Sequence, residues 1–318
     1  VSWIAIWVVS ALAFAPLPLQ DASAERGSDA QSGRGFAFSK AERKEIDALA
    51  KEARVDGATF DVRGRSFHVR APNSARFAAE LAVFLELFQT EFFARVDAKP
   101  QLDVVPTVIV YATPAELGAR CANGDRSAFN WLVKDKAWPE FHVYAALEAP
   151  KIAAIAEYDL RPLQRGVARA LLRRIAGRNS PPAWLEEGIA AWFEGLDIRA
   201  NFANDRSARC RRSPYLTLAR ELLALSDHPP TLAALFSIRL EDWNTDGFTE
   251  TTRRRNAQAE AFVDLLLATD AAKSERKAVF EALRRGVPLD KLQVKELAAL
   301  ERKWIDHMRE LGEFLRIG

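Results

Sequence analysis

The side chains best suited to chemistry are concentrated between Leu163 and Leu196, in the stretch LQRGVARALLRRIAGRNSPPAWLEEGIAAWFEGL. Arg165 and Arg169 stand four positions apart, which puts both on one face of a helix, and Arg173 and Arg174 follow one turn on. Glu186, Glu187 and Glu194 come after a Pro181-Pro182 break. A guanidinium donates hydrogen bonds and holds its charge permanently, while a carboxylate accepts them, so this set suits paired, partly buried charge. The competing reading of the four arginines is an ordinary solvated basic face. Histidine is scarce: the 318 residues include only His68, His142, His228 and His307, with no two close enough to form a local metal motif. Two cysteines exclude a cysteine-built zinc ribbon or an iron–sulfur ferredoxin. Forty-five Lys+Arg against 43 Asp+Glu leave a net charge of +2, too balanced for a nucleic-acid footprint. Neither a Gly-x-x-x-x-Gly-Lys phosphate loop nor a Gly-x-Ser-x-Gly elbow is present.

The segment PPAWLEEGIAAWFEG resembles the second metal-site segment of the gluzincin zinc metallopeptidases, especially the exported peptidase-MA-like bacterial proteins. The matching pattern, Trp-Leu-x-Glu-Gly-x-Ala, falls on Trp184, Leu185, Glu187, Gly188 and Ala190. The resemblance implies that Glu187 stands where the family has its third zinc ligand. It further implies a His-Glu-x-x-His motif on the preceding helix, in which two imidazoles one turn apart hold zinc and the Glu polarises the attacking water. In this chain those positions are Arg165, Gly166 and Arg169, so both histidines and the general base are replaced. Seventeen residues separate Arg169 from Glu187, a spacing consistent with a two-helix site. Each replacement corresponds to a single A-to-G codon change.

Arginine has no lone pair to give a metal and would repel a divalent cation, and Gly166 cannot relay a proton. The resemblance therefore implies a pseudoenzyme with zinc lost and no cofactor in its place. A guanidinium is expected in the former cation's position, paired with Glu187, with Glu186 or Glu194 taking the other arginine. The vestigial site would then comprise Arg165, Arg169, Glu186, Glu187 and Glu194.

Weaker candidates exist elsewhere. Asp242, Asn244, Asp246 and Gly247 match the opening of an EF-hand calcium loop, but Arg253 occupies the position of its closing Glu, which favours a polar turn. Arg211-Arg212 and Arg253-Arg254-Arg255 are short basic clusters of the kind usually solvated. A relocated hydrolase site would have to combine His142 or His228 with Glu186, Glu187 or Glu194.

The elements that must position these residues are legible in outline. Ser39-x-x-Glu42 is a capping box opening a helix to about Arg54. Residues 58–71 alternate in strand fashion around Arg63-Gly64-Arg65, predicting a hairpin. Asn73 or Ser74 caps a long helix from Ala75 to Arg95 whose Phe and Leu stripe is core. Strands follow at Val104 to Tyr111 and Glu140 to Ala145, with a short helix opening at Thr113 between them, and His142 on the second strand reads as structural. From about Arg161 the pattern is helical. Gly177 stops the first site helix, Pro182 takes an early position in the second, and Glu186 and Glu187 favour its positive end.

The predicted class is α+β: a small mixed sheet with flanking helices, then a mostly helical carboxyl-terminal half, of thermolysin-like type by the resemblance. The expected organisation is a signal peptide over 1–24, a flexible lead-in over 25–38, and one domain over 39–318. That domain divides into a mixed part to 160, site helices over 161–196 and a helical part beyond. The apolar run from Ser2 to Pro18, followed by Ala22-Ser23-Ala24, reads as an h-region and cleavage site, too short for a spanning helix. The chain opens on Val1 without a basic n-region, which points to a GTG start or a start further upstream. Export to the periplasm, the envelope or the exterior is expected, with membrane attachment only through an uncleaved signal, and it would permit a Cys121–Cys210 disulfide or leave two buried thiols. The expected partner is a peptide or protein in the retained cleft. The alternatives are an active zinc hydrolase with a relocated site and a structural envelope protein with a closed cleft.

Overall fold

The helical capping signal at Ser39 works as its sequence dictates. Ser39 Oγ accepts from the Glu42 N–H at 3.3 Å, Glu42 Oε2 accepts from the Ser39 N–H at 2.7 Å, and α1 runs Lys40–Glu52. The computed structural model describes residues 37–72, 74–113, 115–116, 142–146, 160–194, 196, 215–216, 218, 231–243, 250–287 and 297–317. The expected signal peptide and nearly all of the lead-in, Asn73, Cys121, Cys210, Arg211, Arg212, His228 and positions 244–247 of the calcium-loop candidate lie outside them. Phe38–Gly318 cluster as one compact unit.

The helix stops at Glu52, short of the expected Arg54, because Arg54–Asp56 form a strand, β1, turned back by Gly57 onto β2, Thr59–Arg63. Three exposed residues, two of them charged, carry no alternation from which this strand could be read. β2 pairs antiparallel with β3, His68–Ala71, giving the expected hairpin. Its turn is clasped by Glu86, whose Oε1 accepts from the N–H groups of Arg65 and Ser66 at 2.5 and 3.1 Å.

Ser74 caps α2, Ala75–Val96, by accepting from the Phe77 N–H at 3.0 Å. The apolar stripe of α2 is core as expected, with Phe77, Leu81, Leu85, Phe88 and Phe92 buried. This helix connects β3 to β4, Thr107–Tyr111, which pairs parallel with β3 and with β5, His142–Ala146. β4 begins three residues later than expected because Pro106 has no N–H for a ladder. Its carbonyl instead accepts from the His68 N–H at 2.9 Å. The sheet is therefore mixed, in the order β1-β2-β3-β4-β5. Ala115 and Glu116 are helical, and Thr113 Oγ1 accepts from the Glu116 N–H at 3.2 Å.

The remaining described elements are helical. They are α3 (Arg161–Ala176), α4 (Ala183–Glu194), α5 (Leu232–Ser237), α6 (Leu240–Trp243), α7 (Glu250–Ala268), α8 (Lys273–Arg285) and α9 (Leu297–Ile317). A 3₁₀ turn at Asp270–Ala272 joins α7 to α8. The class is thus α+β with a helical carboxyl-terminal half. Among the described residues, no helix is long and apolar enough to cross a membrane.

α4 is the hub of the helical half. Phe193 meets Phe88 and Phe92 of α2 at ring-centroid distances of 5.7 and 4.7 Å. On the other side α7 lies very close, and Gly188 makes that possible: a Cβ there would stand 2.6 Å from the Ala259 carbonyl oxygen. Trp184 stacks on Phe236 at 4.8 Å and meets Phe262 at 5.3 Å. Trp192 Nε1 donates to Asp264 Oδ1 at 2.7 Å, and His307 Nε2 bonds Asp264 Oδ2 at 2.9 Å, so one buried carboxylate joins α4, α7 and α9.

Candidate functional site

α3 owes its position to apolar contacts on one face and polar closure at its end. Leu163, Val167, Leu171 and Ile175 are fully buried. The chain leaves the helix at Gly177, where φ is +67°, a conformation that favours glycine. The Gly177 N–H donates to the Arg173 carbonyl at 2.9 Å, satisfying a terminal acceptor. Pro182 stands just before α4 rather than within it, and its carbonyl accepts from Leu185 and Glu186 at 3.1 and 3.0 Å. The two helices then run antiparallel, so ascending positions on α3 meet descending positions on α4.

The charged side chains between them form a ladder. Arg165 donates to Glu187 Oε2 at 2.8 Å through one terminal nitrogen and to Glu194 Oε2 at 2.7 Å through the other. Arg169 donates to the same Glu187 Oε2 at 2.5 Å. Arg173 Nε donates to Glu186 Oε1 at 3.0 Å. The Arg165 and Arg169 guanidinium groups thus converge on a single oxygen of Glu187. Glu186 bonds Arg173 one turn further along, and the Arg169 charge acts on it as well. Gly166 contributes no side chain. Tyr215 adds an aromatic ring 5.8 Å from the Arg165 guanidinium carbon, a cation–π contact that no local sequence signal announces.

These charges are largely withdrawn from water. The Glu187 side chain is 3% exposed and that of Glu186 0%, against 17% for Arg165 and for Arg169 and 13% for Arg173. The solvated basic face therefore does not form, and Arg174 is buried too, donating to Gln89 Oε1 at 2.9 Å and to the Leu102 carbonyl at 3.2 Å. Nor do Glu186 and Glu187 simply serve the helix terminus: each is neutralised by arginines from α3. Among the described residues, three arginines, 165, 169 and 173, face three glutamates, 186, 187 and 194.

Electrostatics distinguishes the two adjacent carboxylates. Burial pushes Glu187 up, but Arg169 and Arg165 outweigh it and hold the carboxyl below the usual carboxylate range. Burial likewise pushes Glu186 up; Arg173 offsets this only in part, and its pKa stays raised. Burial works against the charge of Arg165, yet Glu187, Glu194 and Tyr215 raise its pKa above the ordinary arginine value.

The donor set does not fit zinc. Glu187 Oε2 already accepts from two cations, and neither arginine can ligate a metal. Among the described residues, no group of three His, Cys, Asp or Glu is placed to hold a metal ion.

His68 and His307 are placed apart from the ladder. His68 pairs through Nε2 with Asp61, which also accepts from Arg70 Nε at 3.3 Å, on the sheet. His307 belongs to the Asp264 cluster. His142 has its Cα paired with Thr107 at the start of β5, and its side chain lies outside what is described. Asp242 is exposed in α6, and Arg253 on α7 lies 3.7 Å from Glu250. No protein-family model matches this chain, and no curated protein does either.

Proposed function

We propose that this chain is a non-catalytic relative of the exported zinc metallopeptidases of gluzincin type, which keeps the site's two-helix frame for binding a peptide or partner protein. The supporting observation is the convergence of Arg165 and Arg169 on Glu187 Oε2. Positions four apart on one helix and a carboxylate on its neighbour meet at one point, which is the arrangement a three-ligand zinc site needs. The mixed sheet preceding the site helices is consistent with the thermolysin-like type. Permanently charged guanidinium groups then do what a dication would do for Glu187, without its Lewis acidity.

Metal analysis and a fluorogenic peptide assay test this reading on two proteins, the wild type and the triple variant Arg165→His, Gly166→Glu, Arg169→His. Zinc uptake by the triple variant alone is the expected result. Stoichiometric zinc in the wild type, lost on Glu187→Ala, would overturn the reading, and zinc in neither protein would reject the register.

A second reading, a structural envelope protein with a closed cleft, draws on the 3% exposure of Glu187 and the Tyr215 ring over Arg165. Retention of the wild type on a peptide array, weakened by Arg165→Glu, favours the binding reading, and absence of retention favours the closed one.

A further inference from the structure

Away from the ladder, the sheet face opposite the buried Val62, Val69 and Val108 carries a polar row. The register sets Arg63 of β2, His68 of β3 and Thr107 of β4 side by side, with strands about 4.8 Å apart, and residues so paired point to the same face. Asp61, two residues before Arg63, shares that face and bonds His68 Nε2. Arg70 Nε donates to the second oxygen of Asp61 at 3.3 Å. The Asp61 and His68 side chains are 11% and 18% exposed, Thr107 is 9% exposed, and Arg63 stands in solvent.

Cross-strand charge pairing accounts for Asp61 and Arg70, but not for the rest of the row. An ionised carboxylate only accepts, so His68 Nε2 donates to Asp61, and Nδ1 of the neutral ring is left as an acceptor. Among the described residues, neither Nδ1 nor the Thr107 hydroxyl has a hydrogen-bond partner, and Arg63 has no ion pair. A nearly buried hydroxyl without a partner costs free energy that a bound group would recover. Exposed Arg54 and Asp56 of β1 lie on the same face and offset each other in charge, as Arg70 and Asp61 do, which leaves Arg63 in excess. The row therefore offers a cationic donor, a fixed acceptor and a neutral donor in succession.

We propose that this row binds the hydrogen phosphate ion. Its bare oxygens accept from the Arg63 guanidinium and the Thr107 hydroxyl, while its P–OH donates to His68 Nδ1. Sulfate has the same tetrahedral shape but no proton near neutral pH, so it would set one acceptor against another at Nδ1. The tautomer fixed by Asp61 thus selects phosphate over sulfate by an unpaired contact rather than by size.

Titration of the isotope-labelled full chain, with the His68 ring nitrogens followed by NMR, tests this with inorganic phosphate, sulfate and methyl phosphate. The last is included because a phosphomonoester, with its second pKa about 6, has lost most of its P–OH at about pH 7.5, where inorganic phosphate keeps one. A saturable shift of Nδ1 with inorganic phosphate, and little response to the other two, is expected. By calorimetry, Thr107→Val, which keeps the side chain's shape, and Arg63→Gln should each weaken phosphate binding about tenfold. His68→Phe should abolish the preference over sulfate. An unmoved His68 ring, equal affinity for phosphate and sulfate, or a preference that survives His68→Phe would overturn the proposal. Phosphate binding unchanged in both Thr107→Val and His68→Phe would mean loose attraction to surface arginines, and would overturn it as well.

Discussion

The two sides of α4 are held by different physics. Towards α3 the contact is ionic, with six charged side chains in a row between helices. Towards α7 it is steric: Gly188 lets two backbones approach closely, and the Asp264 carboxylate accepts from Trp192 and meets His307. The close-packed side is what a core needs. The ionic side is not, because buried ion pairs often add no net stability over apolar residues of the same shape, although removing one partner is severe. A protein under selection for packing alone has no need of the ladder, so its presence marks a place where something other than packing set the residue types.

The two steepest expected effects fall one on each side, and the steric one is read first. Gly188→Val would drive a side chain into the Ala259 backbone and should cost about 3 kcal/mol or more, read from the urea midpoint. A midpoint near wild type would mean that the helices do not approach as described. On the ionic side, Glu187→Ala takes a buried partner from both Arg165 and Arg169 and should cost about 3–5 kcal/mol. Replacing the trio together, Arg165→Met/Arg169→Met/Glu187→Leu, should recover most of that loss, and failure to recover would mean that the ladder stabilises the fold outright. Asp264→Asn keeps an acceptor for one neighbour but loses its charge, and about 1–3 kcal/mol is expected.

The smallest effects are those of pH, and they have opposite signs for neighbouring residues. Glu187 has a folded pKa below the ordinary value near 4.5, so its contribution is present above that value and disappears as pH falls through the depressed one. Glu186 has a folded pKa above 4.5, so stability declines as pH rises from there through the raised value. Denaturation midpoints measured across the acid range should therefore show Glu187→Gln flattening the low-pH limb and Glu186→Gln flattening the decline above it. If both variants alter the same limb, the assignment of the two environments is wrong.

Local rules made much of the frame legible. The Ser39 box, the Ser74 cap, the stripe of α2 and the Gly177 stop depend on residues within a turn or two of one another, and the chain carries those signals openly. The facing of Arg165 and Arg169 towards Glu187 was also readable, but from a family pattern and its spacing rather than from periodicity. Other features depend on partners far apart in sequence. Asp264 is 72 residues from Trp192 and 43 from His307, and no window of sequence contains all three. The burial of Arg173 and Arg174 was hidden for the same reason, since a run of arginines looks solvated until Glu186, Gln89 and the Leu102 carbonyl are brought to it. β1 is illegible in the sequence because three exposed residues, held by a turn, show no pattern at all.

The even count of arginines and glutamates between α3 and α4 also constrains how the protein can change. Any one substitution that removes a charge leaves an excess of the other sign in a place with little water to absorb it. Harm from a first change and repair by a second are therefore tied together, and the effects of mutations among these six positions should be strongly non-additive. Sequence drift at this interface must proceed in matched pairs or not at all, so variation should be rarer here than burial alone would predict, and correlated where it occurs.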